Sequence, residues 1–350
     1  MLFIDSTNFE RLLRKLSSEG ELFIPVPEEE TGKLHLQRVE DFPLPELVTF
    51  EGYRMVEPLK AFAQLLRYPV AEYPSPDTDE LPEDKKVPAF VIVGARACDI
   101  YALELVDKVQ VEGEFVDPFY KIRREKMFII AADCTECGES CFCNLLGNGP
   151  WPERGYDLAI SKVSGGFLIV AGSEQGEKIV ETNGEFFAEP REGLVAARDE
   201  NRQRVVKKLA ENNGDYPSVD GLPELIREHL TADIWDDIAA KCVECGACTN
   251  ICPTCYCFLL YDQKVDGEHF QRIASWDSCQ VTGYARMAGM LNPRPRLTDR
   301  VKHRYHHKYD YLVLSHGAVY CTGCGRCIDT CSAGIDMRDA FRKVKAAVAK

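Results

Sequence analysis

Eight cysteines near the C-terminal end fall into two copies of one spacing. Cys242, Cys245, Cys248 and Cys252 follow C-x2-C-x2-C-x3-C, and Cys321, Cys324, Cys327 and Cys331 repeat it 79 residues later. A four-iron cubane needs four thiolates arriving from different directions. Three cysteines separated by two residues each can wrap one corner in a tight loop, which Gly246 and Gly325 ease. The fourth then points away and suits a neighbouring cluster. The spacing therefore predicts two [4Fe–4S] clusters, one held by Cys242, Cys245, Cys248 and Cys331 and one by Cys321, Cys324, Cys327 and Cys252. Pro253 completes a Cys-Pro signature in the first copy, and Ser332 stands at that place in the second. Zinc is the competing reading, but a zinc ribbon pairs two C-x2-C knuckles and has no use for a third and fourth cysteine at these spacings.

The other eight cysteines divide in two. Cys255, Cys257 and Cys279 make an incomplete ligand set and read as buried thiols lining the cluster cavity. Cys98, Cys134, Cys137, Cys141 and Cys143 lie far upstream, with no cysteine between them and Cys242. Cys98 follows the apolar run Val87–Gly94, and Cys134 follows Met127–Ala132. Both would sit at the carboxyl ends of parallel strands, where open α/β sheets place ligands. Cys98 also opens a helix, whose N-terminal amides favour a thiolate or an anionic cluster. Four of these five cysteines suffice for a third [4Fe–4S] cluster. A structural zinc at Cys134, Cys137, Cys141 and Cys143 and a redox-active thiol pair are the alternatives.

These cysteines need a scaffold, and the patterning supplies one. Strand, helix (Ala102, Leu105, Val106 and Val109 at helical spacing), a charged stretch from Asp117 to Lys126 and a second strand imply a parallel βαβ unit. A hairpin is expected across Gly165-Gly166, and a charged helix over Glu192–Glu211. The N-terminus should form an amphipathic helix on Phe9, Leu12, Leu13 and Leu16, with Thr7 and Glu10 as a capping box. Asn212–Leu222, rich in Asn, Gly, Pro and Asp, is the linker candidate, and Pro223–Ala240 the next helix. The fold class expected is thus an α/β N-terminal domain, 1–215, followed by a mainly α-helical dicluster ferredoxin domain, 216–350. The 68 residues between Cys252 and Cys321 read as apolar helical stretches, so that the module resembles the helical ferredoxins of succinate dehydrogenases and heterodisulfide reductases.

Composition narrows the function. The chain of 350 residues carries a formal charge of −14, which argues against a nucleic-acid partner. No segment has the apolar length of a membrane span and Met1–Lys15 does not read as a signal peptide, so a cytoplasmic location is expected. Sixteen clustered cysteines in a reducing compartment point to metal or redox chemistry. There is neither a Gly-x-Gly-x-x-Gly fingerprint nor a P-loop, so no nucleotide site is expected, and no residue reads as catalytic. The basic run Lys302, His303, Arg304, His306, His307 and Lys308 reads as a solvated face, with a docking face or a field on a cluster as the alternative. Arg96, Arg123 and Arg124 could balance cluster charge or lie at the surface.

The runs GARACDIYALELVD, DPFYKIRRE, CFCNLLGNGP, WDSC and NPR resemble the β subunits of archaeal sulfhydrogenases and the A subunit of anaerobic sulfite reductase, from about Pro88 to Ser332. The resemblance implies an electron-transfer subunit working beside a flavin- and NAD(P)H-binding reductase subunit and a catalytic redox subunit, in a hetero-oligomer. It also implies ligands at Cys98, Cys134, Cys141 and Cys143. Cys137 departs from the family pattern and is kept as an alternative to Cys134. The expected role is a relay of electrons through iron–sulfur clusters to a hydrogenase, a sulfite reductase or a heterodisulfide-reductase-like enzyme. The rival roles are a redox enzyme binding substrate at the N-terminal cluster and a dicluster relay with an N-terminal zinc.

Overall fold

The computed structural model describes residues 1–44, 48–74, 87–229 and 233–348. Its strands are β1 (Leu2–Asp5), β2 (Glu21–Pro27), β3 (Leu34–Arg38), β4 (Arg67–Tyr73), β5 (Phe90–Ala95), β6 (Met127–Ala132), β7 (Leu158–Val163), β8 (Gly166–Ala171), β9 (Phe258–Asp266) and β10 (His269–Trp276). Seven of them form one mixed sheet in the order β1-β8-β7-β6-β5-β2-β3. Its centre, β2-β5-β6-β7, is parallel, and the antiparallel pairs lie at the two edges.

The central strands are continuous apolar runs because helices cover both faces. On one face the helix Ser6–Ser17 buries Phe9, Leu12, Leu13 and Leu16 against Ile24, Val91 and Ile130. On the other, the helix Ala97–Gln110 buries Ile100, Leu103 and Val106 against Ile92 and Ile129. Each such side chain contributes about 1.5–3 kcal/mol. The predicted βαβ unit and the hairpin at Gly165 are therefore present. The stretch after Asp117 is itself helical, Pro118–Glu125, capped by the Asp117 carboxylate. The N-terminal helix is capped differently from the expectation. Asp5 at the end of β1 accepts from the Asn8 amide at 2.9 Å, so Thr7 already lies inside the helix.

The part carrying the eight-cysteine repeat mixes strands with short helices. Between the two copies, where helical stretches were expected, β9 and β10 form a long hairpin turning at Asp266-Gly267, and β4 from the first part of the chain pairs with β10. The physical reason is local: an Asp-Gly step between two strand-like runs is a strong hairpin signal. A helical stretch does follow, Leu297–His316, with a π-helical turn at His307–Tyr311. Pro223–Ala240 is two short helices, Leu222–Glu228 and Ile234–Ala239; residues 230–232 of that expectation lie outside the described residues. The linker candidate is packed, not free. Asn213 is buried, donates to the Cys141 carbonyl at 2.9 Å and accepts from Arg338 at 2.9 Å.

One buried ion pair joins the α/β sheet to the ferredoxin part. Arg326 and Asp99, 1% and 0% exposed, meet at 2.8 Å, and the same guanidinium donates to the Met55, Val56 and Glu57 carbonyls. Removing one partner of a buried pair strands the other's charge. Arg326→Met should therefore lower stability by about 3–5 kcal/mol. The double variant Arg326→Met/Asp99→Leu should recover much of that loss in thermal unfolding at matched iron content, whereas equal losses in both would deny the pair this role.

Candidate metal centres

The first cysteine set is positioned by strand ends. Arg96 occupies the N-cap of the helix that follows β5, and Cys98 is the second residue of that helix. Cys134 follows the end of β6, and Cys141 and Cys143 lie on the loop that ends in the 3-10 turn Cys143–Leu146. All five cysteines, with Cys324, line one cavity. The structure thus brings the predicted N-terminal residues together, Cys137 included. The Asn212 amide lies 3.8 Å from the Cys137 sulfur.

Arg96 is not a surface cation, and among the described residues no carboxylate pairs with it. It is fully buried and donates to the carbonyls of Phe50, Glu51, Tyr53 and Asp133, which ties the 50–53 loop to the approach to Cys134. Arg124 pairs with Asp107 at 3.1 Å, and Arg123 donates to the Phe62 carbonyl at 2.6 Å.

Burial dominates the titration of this set. It pushes the Cys98 thiol well up, Cys134 up to about 12 and Cys137 up to about 11, with Arg326 and Arg96 pulling Cys98 and Cys134 the other way. Thiols so placed gain most from a cationic metal group, which ionises its sulfur ligands outright. Among the described residues, no three such side chains converge tightly enough to bind a single ion. They face one another across a cavity instead.

The repeat forms two further sets. Cys242, Cys245, Cys248 and Cys331 line one cavity together with Arg304 and Tyr305. Two polar atoms there, Arg304 Nε and Tyr305 Oη, are buried and have no hydrogen-bond partner. The Glu244 amide lies 3.5 Å from the Cys242 sulfur and the Ile335 amide 3.3 Å from the Cys331 sulfur. Four thiols, orphaned donors and amides aimed at sulfur fit an anionic cluster with sulfide acceptors. Cys327 lies within electrostatic reach of Cys252, Cys321 and Cys324, and Cys321 within reach of Cys252. Cys331 of the second copy thus shares a cavity with the first copy's Cys242, Cys245 and Cys248, and Cys252 of the first copy lies near Cys321 and Cys327.

The glycines explain the close docking. Gly323 has φ +67, and a Cβ there would lie 2.5 Å from the Cys143 backbone. Gly325, φ +74, is pressed equally hard against the Ser140 carbonyl. The Phe142 amide donates to the Gly323 carbonyl at 2.8 Å. The second cysteine loop is thereby seated directly on the Cys141–Cys143 loop. Gly325 was legible as a loop residue; its contact with the N-terminal loop was not.

Cys255 lies in contact with Cys252, and Cys257 in contact with Cys279 at the base of the hairpin. A sulfur contact from Cys279 draws the Cys257 thiol down to about 6. The basic run departs from its expectation as a solvated face. Arg304, His306 and Lys308 are buried, and Lys308 Nζ lies 3.3 Å from the Cys252 sulfur. Alternation along a helix hid this: one face of the run looks inward and carries its cations to the cysteines.

Comparison with known proteins agrees with this geometry. Residues 241–335 match a family model described as a 4Fe–4S dicluster domain. The chain is 29% identical over 333 residues to Sulfhydrogenase 2 subunit beta of Pyrococcus furiosus, covering 95% of each. No helix among the described residues is long and apolar enough to cross a membrane. The chain therefore carries a 4Fe–4S dicluster domain and is similar, over almost its whole length, to a sulfhydrogenase beta subunit, as its cysteine-bearing motifs predict.

Proposed function

We propose that this chain is a non-catalytic electron-relay subunit of a cytoplasmic, anaerobic redox complex. It would work between a flavin- and NAD(P)H-binding reductase subunit and a catalytic subunit of hydrogenase, sulfite reductase or heterodisulfide-reductase-like type. An electron-transfer role is supported by the dicluster domain and by the likeness to a hydrogenase subunit. In this reading residues 1–215 hold one station at Cys98, Cys134, Cys141 and Cys143, and residues 216–350 hold two. A [4Fe–4S] cluster supplies one-electron exchange at a potential tuned by its hydrogen bonds and exposure.

The observation that carries the reading is the contiguity of the three cysteine sets. Cys324 belongs to the second copy of the repeat yet lines the N-terminal cavity, and Cys327 lines the cavity of the Cys242 set. In this reading the Cys252–Cys321–Cys324–Cys327 set would stand between the other two. Cys245, in the set farthest along, is exposed. The chain's own contribution is to hold the sets in file, bury the inner ones and leave one end near the surface.

Metal analysis tests the inventory. Three cubanes correspond to about twelve irons per chain. About eight irons with one zinc would mean that the N-terminal site is structural. Cys98→Ser tests the role. Transfer between partner subunits should fall by at least the ~10–100-fold that loss of even an outer-shell partner costs at metal sites. Each partner's own half-reaction with an artificial carrier should be unchanged. Turnover of a substrate by the isolated chain, abolished in Cys98→Ser, would instead make this an enzyme with its substrate at that site.

A further inference from the structure

The helical stretch Leu297–His316 places Arg300, Arg304 and Lys308 at every fourth position, and all three are buried. Arg300 is neutralised: it pairs with Glu244 at 2.7 Å and donates to the Gln280, Arg294 and Pro295 carbonyls. The other two differ. Arg304 reaches the Cys248 carbonyl at 3.4 Å, leaves Nε without a partner and lines the cavity of the Cys242 set. Lys308, on the π-helical turn, donates to Thr254 Oγ1 at 2.7 Å, the Tyr320 carbonyl at 2.9 Å and the Cys252 sulfur at 3.3 Å. Among the described residues, the negative groups acting most strongly on both are cysteine sulfurs: Cys248 and Cys327 on Arg304, and Cys252, Cys255 and Cys321 on Lys308.

An ammonium removed from water costs several kcal/mol unless negative charge faces it. Among the described residues no carboxylate pairs with Lys308, so the sulfur ligands and what they bind must serve that purpose. A buried cation against a ligand sulfur favours the more negative, reduced level of a cluster and raises its potential. The contact is one-sided, since Lys308 touches Cys252 and no cysteine of the N-terminal set. We propose that Lys308 is a positioning residue that raises the potential of the middle station, the one ligated through Cys252, and that Arg304 does the same at the boundary with the Cys242 set. This rests on the assignment of clusters to those cysteines.

The test uses the full-length protein purified anaerobically, with iron measured in each variant and cluster signals followed by EPR during potentiometric titration. Lys308→Gln keeps a polar group beside Thr254 and Tyr320 but removes the charge. It should shift one ferredoxin-type midpoint to lower potential and leave the N-terminal station unmoved, and Lys308→Arg should hold the wild-type value. Arg304→Met should lower the midpoint of the Cys242 station. Unshifted midpoints in Lys308→Gln at wild-type iron content would overturn the proposal. So would loss of that station's iron in both Lys308→Gln and Lys308→Met but not in Lys308→Arg, which would make the residue purely structural. Absence of two ferredoxin-type signals from the wild-type protein would refute the cluster assignment itself, a separate failure.

Discussion

The structure depends on one buried contact, the pairing of Arg326 with Asp99. Asp99 is the neighbour of Cys98 and Arg326 the neighbour of Cys327, so the pair fixes two cysteine-bearing helix starts to each other. Around it, Arg54 reaches from the 50–54 loop to the Cys324 carbonyl and to Asp329. Such groups are costly to bury singly and are held together by mutual satisfaction. The N-terminal and C-terminal cysteines therefore share one rigid support, although Asp99 and Arg326 are 227 positions apart in the chain.

From this support follows the logic of the arrangement. Parallel strands deliver Cys98 and Cys134 to the carboxyl edge of a sheet whose two faces are packed with helices. Glycines with positive φ let the second ferredoxin loop press against that edge without a side chain between. The helical stretch after Leu297 then brings cations to the far side of the same loops. Acidic overall charge and locally buried cations are thus compatible, because the cations answer thiolates and not solvent.

Much of this was legible in the sequence, for identifiable reasons. The doubled C-x2-C-x2-C-x3-C spacing carries the dicluster domain, because two such cysteine sets suit a pair of cubanes and not a zinc ribbon. The apolar runs ending at Gly94 and Ala132 carried the strands and so the placement of Cys98 and Cys134. What escaped depended on contacts distant in sequence. The pairing of β4 with β10 joins residues about two hundred apart, and the burial of Lys308 depends on Cys252 lying beside it. Local charge patterning cannot distinguish a solvated basic run from one whose inner face meets sulfur. The β9–β10 hairpin, by contrast, has a local signal in the Asp266-Gly267 step, which the expectation of helical stretches there left out.

The central claim is that the Cys252 set stands between the other two and completes a single file. EPR of the fully reduced protein tests this most directly, through magnetic interaction between neighbouring centres. The account predicts interaction-broadened spectra in which one centre couples to both others, with Cys98→Ser removing one of the two couplings and leaving the ferredoxin pair coupled. A fully reduced spectrum that is a simple sum of isolated signals, unchanged in its remaining components by Cys98→Ser, would contradict it.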